Sequence, residues 1–286
     1  MSQTVNILSI DVEDYFQAFE MRKMKVGSCE KTYRDQGVER ILNILNKKDV
    51  KATFLVNGFF AERNRNLIKL ISDFGHEIGS HSYSHTKIQE LSPSKFSKEL
   101  LKSKELLEEI TQKKIIGYRS PAFSFDEKNI QYTKALIDNG FQYDSSTNPI
   151  SKFLHGHPGY NPSFHEVRYE GKSFMEFPLA TLPIFGVRLP WAGGFYLRMM
   201  PYVLFKNGLK YINKKYGSGV IYLHNWELDP DIPKIKSSKL LHFIHYHGLE
   251  KMENKLENLL TDFKFVPFIN FMDHGGTQGK PGAPSQ

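Results

Sequence analysis

Apolar positions along this chain follow two periods in turn. Val5–Ile10 is a short apolar run that stops at a group of acids and reads as a buried strand. Val38, Ile41, Leu42 and Leu45 then recur at helical spacing. Ala52–Val56 reads as a second strand, Leu67–Phe74 as a helix closing before Gly75, and His76–Ser80 as a third strand. The clearest helix follows, with Ser92 at its N-cap and Pro93 in its first turn. Phe96, Leu100, Leu107 and Ile110 lie along one of its faces. Ile115–Tyr118 is strand-like, and Asp126 is placed to cap a helix through Ile130, Leu136 and Ile137 that stops at Gly140. Phe141–Tyr143, Gly219–Leu223 and Phe263–Pro267 read as later strands, and one long helix is expected over about 237–260.

Strands alternating with helices imply an α/β fold with a parallel sheet. This many units point to a distorted (β/α) barrel, closed or incomplete, of about seven parallel strands. A doubly wound open sheet is the runner-up. No glycine-rich phosphate fingerprint follows the first strand, so nucleotide binding lacks support. One domain is expected over 1–274. Within it, about 145–198 is an excursion rich in Gly, Pro and aromatics, and a segment of that length is usually functional. Its aromatics, among them Phe153, Tyr160, Phe164, Trp191 and Phe195, either stack on a ligand or pack a β-rich cover onto the barrel. Residues 275–286 have the composition of a disordered tail.

At 40% apolar and 24% charged residues, the composition is that of an ordinary soluble globular protein. Cys29 is the only cysteine, so no intrachain disulfide forms. The N-terminus lacks the pattern of a signal peptide, and no stretch has transmembrane length. Both observations give a cytoplasmic expectation. The formal charge of +7 admits attraction to nucleic acid, phospholipid or a phosphate-bearing sugar carrier. Lysines interleaved with glutamates, as in KFSKELLKSKELLEEI, favour a solvated surface, and no nucleic-acid motif is present.

Candidate chemistry gathers at strand ends. Asp11-Val12-Glu13-Asp14 follows the first strand and can supply a metal ligand or a base. His81 and His85, four apart, would share one side of a helical turn and reach one ion. Arg119-Ser120-Pro121-Ala122-Phe123 brings a cation to orient a carboxylate. Asp144 ends another strand, and His224 ends the late one, placed for proton transfer. Each cluster alone also reads as a cap, a turn or a surface group. Together, on one rim of a parallel barrel, they are the parts of metal-assisted hydrolysis.

In this order the motifs resemble the polysaccharide deacetylases that share the chitooligosaccharide deacetylase domain. SIDVEDYF, YRSPAFSF, WAGGFYLR and HNWELDPDIP look like the subgroup found in bacterial exopolysaccharide gene clusters. The resemblance implies removal of an N-acetyl group from an amino-sugar, whether polymeric, lipid-linked or nucleotide-linked, with a divalent metal, zinc above others. It implies His81, His85 and an acid on the metal, Asp11 as base, His224 as acid and Arg119 orienting Asp11. Asp144 would fix Arg119 or His224. The Ala122 N–H would serve the oxyanion, Tyr222 or Leu223 would wall the acetyl pocket, and Phe123 and Trp191 would contact substrate. Relatives often carry adjacent aspartates where this chain has Asp-x-Glu-Asp. Alternation along an extended backbone selects Glu13 as the metal carboxylate, with Asp14 the alternative. Asn225 stands where proline is usual. A deformylase, an O-deacetylase on a lipid-linked sugar and a catalytically dead carbohydrate-binding relative are the rival readings.

Overall fold

The computed structural model describes residues 4–17, 36–126, 129–150, 156 and 159–273. Cys29, Phe153 and the 275–286 tail lie outside them. The described strands are β1 (Val5–Val12), β2 (Thr53–Val56), β3 (Glu77–Ser80), β4 (Gly117–Tyr118), β5 (Tyr143–Asp144), β6 (His165–Tyr169), β7 (Lys172–Glu176), β8 (Thr181–Ile184), β9 (Val187–Pro190), β10 (Val220–His224) and β11 (Lys264–Val266). The helices are α1 (Gly37–Lys47), α2 (Gly58–Arg63), α3 (Arg65–Asp73), α4 (Pro93–Thr111), α5 (Ile130–Asp138), α6 (Gly194–Met199), α7 (Tyr202–Tyr216), α8 (Lys239–Tyr246), α9 (Met252–Asp262) and α10 (Phe268–Asp273).

Seven strands run parallel in the order β10-β1-β2-β3-β4-β5-β7, β11 adds to the start of β1, and β6 returns antiparallel on β7. This is the expected distorted barrel. No ladder joins β7 to β10. The chain after β7 stays bonded to the β5 side through Phe177 N–H to Asp144 O and Leu179 N–H to Thr147 O, and single bonds from Ala180 N–H to Val220 O and from Tyr222 N–H to Ala192 O close onto β10. The 145–198 excursion therefore supplies the irregular wall of the barrel, with β8 and β9 projecting from it as a separate hairpin.

Alternation along β1 sets the site. Leu8, Ile10 and Val12 are fully buried in the main core with Ile41 and Leu45 of α1, while Ser9 and Asp11 face the other way, into the barrel. In α4, Ser92 caps and Pro93 starts the helix as expected, and Phe96, Leu100, Leu107 and Ile110 are buried. Two helix expectations need correction. The helix begun at Asp126 starts instead at Ile130, with Asn129 at its N-cap, and Asp126 accepts the Tyr160 hydroxyl. The single helix over 237–260 is α8 and α9, broken where Gly248 adopts φ 80°. A Cβ there would sit 3.1 Å from the Arg198 carbonyl oxygen, so both space and conformation require glycine.

Candidate active site

The ends of β1, β3, β4 and β10 converge on one buried cluster. Glu13 Oε2 lies 2.5 Å from His85 Nε2 and 3.6 Å from His81 Nε2, and the two imidazole nitrogens are 3.2 Å apart. All three side chains are buried, and their ligand atoms lie within 4.8 Å of one another. Burial pushes the Glu13 carboxyl up. The His85 charge and the adjoining imidazoles outweigh that and hold it well below the ordinary range.

The histidines converge by a different route from a helical turn. Residues 81–87 form a loop in which Ser82 (φ 60°) and His85 (φ 57°) both take the left-handed conformation. Histidine is among the non-glycine residues that tolerate it.

This donor set fits a divalent ion. His81 Nδ1 lies 2.9 Å from the Arg119 carbonyl oxygen. A carbonyl only accepts, so Nδ1 carries the proton and the Nε2 lone pair turns toward the cluster. Glu13 Oε2 is buried and faces the Nε2 atoms of both histidines. Two imidazole nitrogens and a buried carboxylate oxygen facing a common centre are donors of the kind that a divalent ion takes. Glu13, and not Asp14, belongs to this set: Asp14 turns away to an ion pair with Arg63. Asn225 accepts the Glu13 backbone N–H at 3.0 Å, which fixes the strand end carrying the carboxylate.

Beside the triad, Arg119 is fully buried. It donates from Nη1 to Asp11 Oδ1 (2.7 Å) and Ser9 Oγ (2.9 Å), from Nε to the Ser145 carbonyl (2.8 Å) and from Nη2 to Ser145 Oγ (2.8 Å). Phe123 and Tyr222 place their rings 5.6 and 5.5 Å from the guanidinium carbon. Ala122 (φ 53°) and Phe123 (φ 50°) are both left-handed, a costly backbone for such residues and one found at functional loops.

Across the triad stands His224, aligned with Asp11 in the β1–β10 register. Its Nε2 is 3.8 Å from Glu13 Oε1 and its Nδ1 3.4 Å from Glu227 Oε2. Glu227 also accepts the His224 backbone N–H at 2.9 Å and takes Arg198 Nε on Oε1 at 2.9 Å. Burial opposes the imidazolium. The Glu227 hydrogen bond and the Glu13 charge outweigh it and raise His224 to about 9. Burial also works against the Glu227 carboxylate, but the His224 hydrogen bond and the Arg198 charge bring it down to about 2. Arg198 additionally donates to the carbonyls of Ile244, His245 and His247 at the end of α8. Glu227 and Arg198 were not legible as site residues, although both fall inside the HNWELDPDIP and WAGGFYLR stretches. Gly194 is the structural trace of the pair: a Cβ there would lie 1.9 Å from Glu227 Oε2.

Three expected roles move. Asp144 is fully buried and reaches neither Arg119 nor His224 through a hydrogen bond. It accepts from Ser146 Oγ (2.5 Å), which in turn takes the Ser120 N–H (2.7 Å), so it steadies the Arg119 loop indirectly. Its register partner is the buried Glu176, whose Oε1 accepts Thr147 N–H and Oγ1–H. Burial drives both carboxyls up, Asp144 to about 6 and Glu176 well above its usual range, so the pair keeps a proton on folding. A raised folded-state value contributes stability at low pH that is lost as pH rises through it. The melting temperature should therefore fall as pH rises from about 4, where the unfolded carboxyls ionise, through about 6, and Glu176→Gln, a neutral donor, should flatten that slope in scans across this window.

Trp191 is buried, donates Nε1–H to the Phe205 carbonyl (3.0 Å) and packs on Gly208, whose Cβ would fall 2.2 Å from the indole. It is core and not a sugar platform. Trp191→Ala should cost about 3–5 kcal/mol in denaturant melts and leave sugar binding by the folded protein unchanged. Tyr160 and Phe164 likewise pack, Phe164 against Phe177 and Phe271. Leu223 is fully buried in the core, on the face of β10 opposite Tyr222 and His224, so only Tyr222 faces the site.

The strand ends of this barrel gather two histidines, three acids, an arginine and a further histidine, a donor set that fits a divalent metal ion. The polysaccharide deacetylase model matches residues 28–140, and a domain of unknown function, DUF3473, matches 145–273. Across 110 residues the chain is 36% identical to a peptidoglycan deacetylase of Helicobacter pylori, covering 38% of this chain and 36% of that one. It is 31% identical over 135 residues to the uncharacterized protein YlxY of Bacillus subtilis, covering 47% of this chain and 40% of that one. It thus spans about two-fifths of the length of these relatives. A candidate polysaccharide deacetylase from Mycobacterium smegmatis superposes with TM-score 0.63 at 18% identity, over 100% of this chain and 97% of that one. A family 4 carbohydrate esterase pseudoenzyme from Bacillus anthracis does so with TM-score 0.52 at 19%, over 95% and 66%. At such identities these two show the fold alone. The chain is therefore similar to the polysaccharide deacetylases over residues 28–140 and to the DUF3473 domain over residues 145–273. Strands of both matched segments share the large sheet: β2, β3 and β4 of the first and β7 and β10 of the second are joined through β1 and β5, which lie outside both matches.

Proposed function

We propose that this protein removes an N-acetyl group from an amino-sugar in the making of a bacterial surface or exopolysaccharide, using a divalent metal, zinc above others. The observation that carries the reading is the flanking of one buried Glu13–His81–His85 triad by Asp11–Arg119 on one side and His224–Glu227–Arg198 on the other. Glu13, His81 and His85 would hold the ion, which when bound supplies Lewis-acid polarisation and a more acidic water. Asp11, oriented by Arg119, takes the proton of the water that attacks the acetyl carbonyl. The Ala122 N–H is the candidate donor to the developing oxyanion. His224, steadied by Glu227, gives its proton to the departing amine nitrogen, and Tyr222 with Phe123, 4.9 Å apart ring to ring, walls the acetyl methyl.

Relatives named as peptidoglycan deacetylases support an N-acetylated sugar, and the SIDVEDYF and WAGGFYLR stretches support the exopolysaccharide subgroup. The presence of every member of the site argues against the pseudoenzyme alternative. Mass spectrometry of N-acetylated oligosaccharides incubated with the metal-loaded chain should show loss of acetyl groups, abolished by chelation. Release of formyl or O-acetyl groups alone from matched glycans would move the assignment to the rival hydrolases.

A further inference from the structure

Between Glu176 and Glu227 the chain carries no acidic residue, while Arg188, Arg198, Lys206, Lys210, Lys214 and Lys215 supply six cations. This stretch contains the β8–β9 hairpin and α7. The hairpin pairs with no other strand of the described residues, and its tip is apolar: Ile184, Phe185, Val187 and Leu189 are exposed, Phe185 completely. Its two-residue turn, Phe185-Gly186, has φ 46° and 79°. That geometry favours Asn-Gly or Gly-Gly, so a phenylalanine is held there against both conformational preference and solvation.

The hairpin stands on α7. Thr181 of β8 lines one small cavity with Ile212 and Tyr216, and Trp191, just after β9, packs on Gly208. The outer face of α7 continues the same composition. Val203, Leu204 and Tyr211 are exposed, and among the described residues Lys210, Lys214 and Lys215 have no ion-pair partner. An apolar hairpin tip together with a helix whose lysines outnumber the one acid paired to it, Asp262 on Lys206, is the signature of a protein that rests on an anionic lipid surface, the aromatic entering the headgroup layer and the lysines meeting lipid charge.

We propose that the β8–β9 hairpin and α7 form a docking surface for an anionic lipid bilayer, with Phe185 as the inserted side chain. Charge selects this occupant over a second copy of the chain, because two copies of a face with excess positive charge repel.

The test uses the full chain with vesicles of phosphatidylcholine alone or mixed with phosphatidylglycerol. Both native tryptophans, Trp191 and Trp226, are buried, so a Phe185→Trp variant reports on the tip. Its emission should shift to the blue with phosphatidylglycerol vesicles and stay unchanged with phosphatidylcholine. Phe185→Asn creates the preferred turn sequence and so preserves the hairpin, yet it should weaken vesicle co-sedimentation at least about tenfold. Lys210→Glu with Lys214→Glu should weaken it by about tenfold or more, and raised salt should mimic that loss. No blue shift, undiminished sedimentation of Phe185→Asn, or a Phe185→Asn change from dimer to monomer with vesicle binding intact would each overturn the proposal.

Discussion

Asp11→Asn should bind metal and fold, yet turn over about 10²–10⁴-fold more slowly, the usual worth of general base assistance. The amide keeps an oxygen for Arg119 Nη1 to reach, so the pocket retains its shape, but it has no basic oxygen to receive a proton. Arg119 is wholly buried, and its other donors remain satisfied by Ser9 and Ser145. The stability loss should therefore stay below the about 3–5 kcal/mol that follows when a buried ion is stranded without a partner. Separate measurement of metal content, melting temperature and kcat divides the cases. Near-native turnover would remove Asp11 from the base role, while a fall in activity that tracked lost metal would make it structural to the triad.

The rim chemistry was readable because a parallel strand buried on both faces must be apolar until it ends. The first polar residues after VNILSI, IIGY and GVIYL therefore mark the open end of the barrel. The period-2 rule also separated Glu13 from Asp14 before any coordinates. The same rule, applied to β10, would have removed Leu223 from the site, since it alternates with Tyr222 and His224. Other features depend on the path of irregular chain. Arg198 meets Glu227 only because α6 is laid against the end of β10 and the carboxylate sits where Gly194 lacks a side chain. Nothing local in either stretch announces the pairing. Trp191 in a glycine-rich segment looked ready to meet a sugar, but Gly208, seventeen positions on in α7, provides its slot. Glu176 was invisible for a related reason: its partner Asp144 lies on a neighbouring strand, and only register brings the two carboxyls together.

Removing the ion should cost stability as well as activity, because the triad exists only in the folded chain. A metal that binds the native state and not the unfolded one stabilises by about 2.7 kcal/mol at a free concentration one hundred times Kd. For a chain of this size each kcal/mol moves the midpoint by roughly 2–4 °C, so saturating metal should raise Tm by roughly 5–10 °C over the chelated protein. His85→Asn is the instructive variant. Asparagine also tolerates the left-handed backbone that His85 adopts at φ 57°, so the loop should keep its course while the imidazole ligand is lost. The metal-dependent rise in Tm and the deacetylation should then disappear together, while the chelated variant melts close to the chelated wild type. His81→Ala removes the second nitrogen ligand and, in addition, the Nδ1–H bond to the Arg119 carbonyl. It should lose the same metal response and also lower the melting temperature of the chelated protein. A His85→Asn protein that still gained several degrees on adding zinc would show that the ion sits elsewhere. The roles drawn for Asp11 and His224 would then have to be rebuilt around that other centre.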